Sequence, residues 1–221
     1  MRNSGFTLIE LLISMALMGV VLGVVLSAQN AVVTSSQQQQ SNAGRLGVIT
    51  DMTGYIGDRV RSAALVPDGL TVNGAVCLRA PASGLPCLAV VVPQVTTTGQ
   101  VSGWELHAFQ YVDPATLSSQ ERTPGLSGVN LAIREAVLTS SCGLTAPTAA
   151  TASSCFSGSA ANNLLSDELS LPPSGTAAFS YDPAQQLVTL NMRSVGLQGG
   201  VASYLPASGS YSIKIYARNT Q

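Results

Sequence analysis

The feature that most constrains this chain is an apolar run close to its N-terminus. Over residues 6–26, 18 of 21 residues are apolar or glycine. The three exceptions are Thr7, Glu10 and Ser14. A helix of this length rises about 31 Å, which matches the thickness of a bilayer's hydrocarbon core. The sequence therefore predicts a single membrane anchor over about residues 6–26.

Glu10 is the unusual residue of this run. A carboxylate inside a spanning helix costs about 2.5 to 3.5 kcal/mol, and such residues usually face a protein partner. Some other group must therefore compensate the charge of Glu10. An ordinary signal peptide carries its small-residue cleavage site after the apolar run. Here Ser4 and Gly5 precede the run, and no such site follows it.

Residues 5–12, with the sequence GFTLIELL, resemble the N-terminal signature of type IV pilins and of the pseudopilins of type II secretion. The resemblance implies that a prepilin peptidase cuts after Gly5 on the cytoplasmic side and methylates the new amine of Phe6. It also implies that Glu10 attracts the Phe6 ammonium of a neighbouring subunit, a charge pair that is strong in low dielectric. An ordinary anchor with a stray glutamate is the alternative.

The resemblance also sets the expected partners and location. The partners are other pilin or pseudopilin subunits, the prepilin peptidase and the inner membrane. The chain would cross the inner membrane once with its head in the periplasm, and it would reach the cell surface in an assembled filament.

Proline positions predict the domain organisation. No proline precedes Pro67, and all eleven lie from there onward. Because interior prolines break helices, the first 66 residues are free to form one helix, which we predict to be continuous from about Thr7 to Ala64. The expected organisation is a leader at residues 1–5, a long helix at 6–66 and a β-rich head at 67–221.

The outer half of this helix is predicted to be amphipathic. Apolar residues recur at spacings of three and four, which predicts a stripe packed against the head: Leu46, Ile49, Met52, Ile56, Val60 and Ala63. Arg45, Arg59 and Arg61 are expected on a solvated face. Four glycines between residues 44 and 57 weaken the prediction of a continuous helix, and a bend near residues 37–47 is the alternative.

Beyond Pro67, short apolar runs bounded by turn residues predict strands. They cover 70–78, 88–92, 104–112, 130–138, 176–181, 186–192 and 211–217. Residues 139–170 are rich in Ser, Ala, Thr and Asn and are expected to form a long surface loop. The predicted fold class is α+β, with a mostly antiparallel sheet packed on the long helix.

The four cysteines form two local pairs in the sequence. Cys77 and Cys87 flank a predicted hairpin turn at residues 79–84, and Cys142 and Cys155 bracket part of the long loop. Three pairings are possible, and the local one is favoured. A zinc site is the alternative, but the gaps are too long for zinc knuckles. Disulfides would place the head in an oxidising compartment outside the cytoplasm.

Enzymatic and nucleic-acid functions receive little support. Only 10% of residues are charged, the formal net charge is -1, and no basic run indicates a nucleic-acid surface. His107 alternates with apolar neighbours and is expected on the surface of a sheet. Asn162, Asn163, Asp167 and Glu168 match no calcium loop and are expected in a solvated loop. We therefore expect no catalytic residue, no metal and no cofactor.

Short segments of the head resemble PilW-type minor pilins and the J-type pseudopilin more than major pilins, which often carry a proline later in the helix. The expected function is a minor structural subunit that primes or joins a type IV pilus. One alternative is a minor pseudopilin of a type II secretion system. Another is a filament-displayed subunit for DNA uptake, as in natural transformation, or for adhesion. A membrane-tethered hydrolase built around His107 is a further alternative.

Overall fold

A computed structural model of the chain describes residues 8–124, 126, 128–198 and 200–218. The chain divides into two compact units, Met1–Gly44 and Arg45–Gln221. The first helix, α1, spans Leu8–Ser62 and contributes to both units. The predicted helix from about Thr7 to Ala64 is thus confirmed over its described length, while Thr7 lies outside the described residues.

In the first unit, α1 is apolar over its N-terminal part and polar after residue 33. Its polar side chains bond to carbonyls of the preceding turn: Oγ of Ser14 donates to the Leu11 carbonyl at 2.9 Å, and Oγ of Ser27 donates to the Val24 carbonyl at the same distance. Such bonds satisfy hydroxyl groups inside a helix without a partner helix.

Within its described residues, the second unit contains the rest of α1 and ten strands. The strands are β1 (Leu70–Val72), β2 (Ala75–Cys77), β3 (Cys87–Val95), β4 (Val101–Val112), β5 (Leu131–Thr139), β6 (Ala161–Ser170), β7 (Phe179–Asp182), β8 (Leu187–Gln198), β9 (Val201–Leu205) and β10 (Tyr211–Tyr216). A short 3-10 helix spans Pro114–Thr116, and a short helix, α2, spans Ala152–Cys155. All pairings are antiparallel, so the predicted α+β class is confirmed.

The strands form one sheet of eight and a separate pair, β1–β2. The order in the large sheet is β10-β8-β6-β5-β4-β3, and β7 and β9 also pair with β8. The twelve-residue β8 therefore holds four neighbours: β7 and β10 along Leu187–Met192, and β6 and β9 along its second half. It joins the C-terminal strands to the β3–β6 meander.

One apolar core lies between α1 and the large sheet. Five of the six residues of the predicted stripe are buried: Ile49, Met52, Ile56, Val60 and Ala63. They pack with side chains from one face of the strands, including Phe109, Tyr111 and Ile133. Leu46 is 40% exposed, so its predicted place in the stripe is wrong.

A second core covers the opposite face of β3, β4 and β5. Successive residues of a strand point to opposite faces, so Trp104, Leu106 and Ala108 lie here while Phe109 faces α1. The β1–β2 pair, α2 and the disulfides close this side. The disulfides are Cys77–Cys87 and Cys142–Cys155, the pairing that the sequence spacing favours.

The structure corrects several strand predictions. The predicted strand 70–78 is two strands that form a hairpin, β1–β2. Residues 79–84 are not the predicted hairpin turn, because β2 and β3 belong to different sheets. The predicted loop 139–170 contains α2 and the ten-residue β6, and β9 was not predicted at all. The sequence of β6, ANNLLSDELS, lacks the β-branched residues that usually mark a strand.

Candidate functional site

The N-terminal part of α1 presents a continuous apolar surface. Every large apolar side chain from Leu8 to Leu26 is between 43% and 81% exposed. Among the described residues, α1 is the one helix long and apolar enough to cross a membrane, judged by length and composition. Exposure of an apolar surface of this extent to water is unfavourable. Lipid or other apolar helices must therefore cover it.

Glu10 lies on this apolar surface. Its side chain is exposed. A carboxylate at such a position requires a compensating group when the helix enters lipid. The two predicted processing residues, Gly5 and Phe6, lie outside the described residues, so their roles in cleavage and methylation stay predictions.

Arg45 ties α1 to the β8–β9 hairpin within the second unit. Its guanidinium donates four hydrogen bonds: to Oγ of Ser194 and Oγ of Ser203, both at 3.1 Å, and to the carbonyls of the same two serines at 3.1 and 2.7 Å. It also covers Gly196, where an added Cβ would lie 3.3 Å from its side chain. Arg45 is 7% exposed, so its predicted place on a solvated face is wrong.

A second polar contact joins α1 to the middle of the sheet. The hydroxyl of Tyr55 donates to the carboxylate of Glu135 on β5, with its oxygen 3.0 and 2.9 Å from the two carboxylate oxygens. Nδ1 of His107 on β4 lies 2.8 Å from the same carboxylate. Asn163 on β6 also approaches it at 3.5 Å. Three strands and α1 therefore meet at one buried acid.

The electrostatics of Glu135 follow from these contacts. Burial raises the pKa of this carboxyl, but the hydrogen bonds from His107 and Tyr55 lower it by more, and the net pKa is below the ordinary value. Glu135 is thus held as a carboxylate although only 1% of it is exposed. Because an ionised carboxylate only accepts hydrogen bonds, Nδ1 of His107 carries a proton.

His107 is buried, so its predicted position on the sheet surface is wrong. Its Nε2 makes no hydrogen bond to a described residue, and Oε2 of Glu105 is 3.6 Å away. Glu105 accepts a hydrogen bond from Nε2 of Gln94 at 2.6 Å. The imidazole thus sits in the interior between two acids and supports the packing of β4 against β5.

The polar residues that the sequence predicts in a solvated loop lie in β6 instead: Asn162, Asn163, Asp167 and Glu168. Asp167 is 9% exposed, and its carboxylate accepts hydrogen bonds from the amide and the hydroxyl of Thr123. Oδ1 of Asn162 accepts from Asn73 at 2.8 Å. Within the described part of the chain, no cluster of three His, Cys, Asp or Glu residues is arranged to hold a metal.

The sequence analysis did not predict the buried hydrogen bonds of Arg45, Tyr55 and Glu135. The signal for Tyr55 and Arg45 was present, because each sits three or four residues from a stripe residue on α1. No local pattern marks Glu135, whose partners are 28 and 80 residues away along the chain. Long-range polar contacts of this kind emerge only from the strand register.

A family model described as the prokaryotic N-terminal methylation motif matches residues 1–26. The comparisons with characterised proteins and with solved structures returned no match. The matched segment ends where the predicted anchor ends and includes Gly5, Phe6 and Glu10. The chain thus carries the N-terminal motif that type IV pilins and pseudopilins share, followed by a long apolar helix and an antiparallel sheet in a pilin-like α+β architecture.

Proposed function

We propose that this chain is a minor, non-enzymatic structural subunit of a type IV pilus. After the prepilin peptidase removes residues 1–5 and methylates Phe6, the subunit joins or primes the filament. The observation that carries the proposal is the matched motif at residues 1–26, together with a carboxylate at residue 10 on an exposed apolar helix.

The assembly contact would be the pair between Glu10 and the N-terminal ammonium of a neighbouring subunit. Two opposite charges in a medium of low dielectric attract strongly, and removing one leaves the other uncompensated. The anchor helices of the neighbours would also cover the apolar side chains of α1. A subunit at the extreme tip would lack the partner for Glu10, so we place this subunit below at least one other.

The minor role is supported by α1 itself. Major pilins often carry a proline in the later part of this helix, and here none precedes Pro67. The two disulfides agree with a head in the periplasm, since such bonds persist in oxidising compartments. The same features suit a minor pseudopilin of type II secretion, which is the second candidate.

Crosslinking of the anchor helices tests the assembly contact. A photoreactive amino acid at Met18, on the exposed surface of α1, would capture neighbouring anchors in cells that express all filament subunits. We expect Glu10→Ala and Glu10→Gln to insert into the membrane normally, because loss of the charge eases partitioning. Both should capture fewer partner subunits than the unmodified sequence.

Ser14→Ala is the matched control. It removes a polar side chain one turn away from Glu10 whose hydroxyl already bonds to the Leu11 carbonyl. Capture by this variant should equal that of the unmodified sequence, and carbonate extraction should find all variants in the membrane. Undiminished capture by both Glu10 variants would refute the assembly contact and would allow this subunit to be the tip.

A further inference from the structure

A cleft in the second unit has no part in the proposed assembly contact. It has a volume of about 660 Å³ and lies beside the C-terminal end of α1. Its walls include Leu65, Pro93, Val101, Trp104, Pro147 and Arg218. This volume falls within the range of about 300 to 1,000 Å³ that is typical of ligand-binding pockets.

Three residues of the walls, Leu65, Pro93 and Trp104, are held by contacts within the fold. Leu65 forms a β-bridge with Val91, and Pro93 pairs with Trp104 across β3 and β4. The indole nitrogen of Trp104 donates to the carbonyl of Leu144 at 3.3 Å, which holds the loop of the Cys142–Cys155 disulfide against β4. The cleft is therefore preformed, which lowers the entropic cost of binding a ligand.

Most side chains of the walls are apolar, and Thr148 and Arg218 are the polar ones among the described lining residues. Of the described residues that line the cleft, Arg218 alone is charged. It is exposed and forms no ion pair with a described residue. The preceding residue, Ala217, is buried, and its amide donates to the carbonyl of Gln186 at 2.8 Å. This bond fixes the backbone next to Arg218, and the exposed Arg218 side chain lines the cleft.

We propose that this cleft binds a peptide segment of a partner protein in which a carboxylate lies next to apolar side chains. The apolar side chains would contact Leu65, Val101 and Trp104, and the carboxylate would pair with Arg218. Guanidinium groups suit this task because they bind carboxylates with two parallel hydrogen bonds.

The fluorescence of Trp104 can report whether a peptide binds in the cleft. Trp104 is the sole tryptophan of the chain. It lines the cleft although only 7% of it is exposed, so a ligand in the cleft would change the surroundings of the indole and shift its fluorescence. The probe is the tripeptide acetyl-Leu-Glu-Leu-amide, added to the full chain in detergent micelles. The matched probe is acetyl-Leu-Gln-Leu-amide, which keeps the shape and removes the charge. The assay uses isolated protein, so its outcome does not depend on filament assembly.

We expect a saturable shift with the glutamate peptide and affinity about fivefold weaker with the glutamine peptide, as for a partly exposed ion pair. Arg218→Gln should weaken binding of the glutamate peptide by the same factor and leave the glutamine peptide unaffected. The losses of affinity from removing the two charges would then not add, which shows that Arg218 and the glutamate of the peptide interact with each other. Lys214→Gln, which removes an exposed charge from β10 outside the cleft, should change neither affinity.

Val101→Asp tests the apolar wall. It places a carboxylate inside the cleft and should abolish the shift, whereas Val95→Asp, at an exposed residue of β3 that does not line the cleft, should not. Absence of a saturable shift in the unmodified protein would overturn the proposal. Equal affinity for the two peptides, or equal effects of Arg218→Gln and Lys214→Gln, would also overturn it.

Discussion

Nδ1 of His107 lies 2.8 Å from Oε1 of Glu135, and both residues are almost fully buried. The same carboxylate accepts the hydroxyl hydrogen of Tyr55, so one acid joins β4, β5 and α1. A buried carboxylate that accepts hydrogen bonds from several elements favours one arrangement of those elements. We infer that Glu135 fixes how the second half of α1 sits on the sheet.

Tyr55→Phe should destabilise the second unit by about 1 to 3 kcal/mol, because it removes a donor from a buried carboxylate. The measurement is denaturant unfolding of the full chain in detergent, followed by the fluorescence of Trp104. Tyr216→Phe is the control. Because Tyr216 is 60% exposed, its replacement should change the free energy of unfolding little. Equal losses in the two variants would show that the Tyr55 hydroxyl does not stabilise the fold.

The lowered pKa of Glu135 predicts a pH dependence of stability. A carboxyl whose pKa is lower in the folded state contributes stability that is complete above its ordinary pKa and lost as the pH falls through the lowered pKa. The melting temperature should therefore fall on acidification from about pH 7 to about pH 3 more steeply for the unmodified protein than for Glu135→Gln. Parallel curves would contradict this role. Asp51→Asn, at an exposed carboxylate of α1, should behave like the unmodified protein.

Two glycines should respond to alanine in opposite directions. Gly196→Ala forces a methyl group to within 3.3 Å of the Arg45 side chain, which four hydrogen bonds hold in place. We expect destabilisation of about 1 kcal/mol or more. Gly54→Ala meets nothing within 4 Å and should stabilise α1 by about 1 kcal/mol. Denaturant unfolding checks both, and stabilisation by Gly196→Ala would refute the tight packing of Arg45.

The disulfides should make a measurable contribution to stability. They close segments with sequence separations of 10 and 13 residues. In the chain-entropy model each is worth about 3 kcal/mol. Replacing Cys142 and Cys155 together by serine should lower the free energy of unfolding by about that amount. Non-reducing peptide mapping should recover the same two pairs, and free thiols in protein purified from the envelope would contradict the oxidised head.

Much of the fold could be predicted from local pattern. The three-and-four spacing of Ile49, Met52, Ile56 and Val60 specified the face of α1 that is buried. The alternation in β10 marked a strand in the same way. At the level of Leu46, which is 40% exposed, Arg45 is the residue of α1 that contacts the β8–β9 hairpin, and no pattern on α1 indicates this contact.

The residues that could not be predicted depend on distant partners. His107 looks like a surface residue until Glu135 is placed beside it by the β4–β5 register, in which His107 faces Val137. The polar strand β6 has weak strand propensity of its own and forms because β5 and β8 offer it hydrogen bonds. Contacts with distant residues thus determine the burial of His107 and the formation of β6. The N-terminal motif could be recognised from the sequence because its residues are contiguous.

The most direct test of the account is the intact mass of the protein purified from the cell envelope. If Gly5 and Phe6 form the processing junction, the mature chain lacks residues 1–5 and begins with methylated Phe6. Replacing Gly5 by a bulkier residue should block the cut and leave the precursor in the membrane. The account predicts a mass for residues 6–221 with one added methyl group, and a mass that retains Met1 in assembled protein would contradict it.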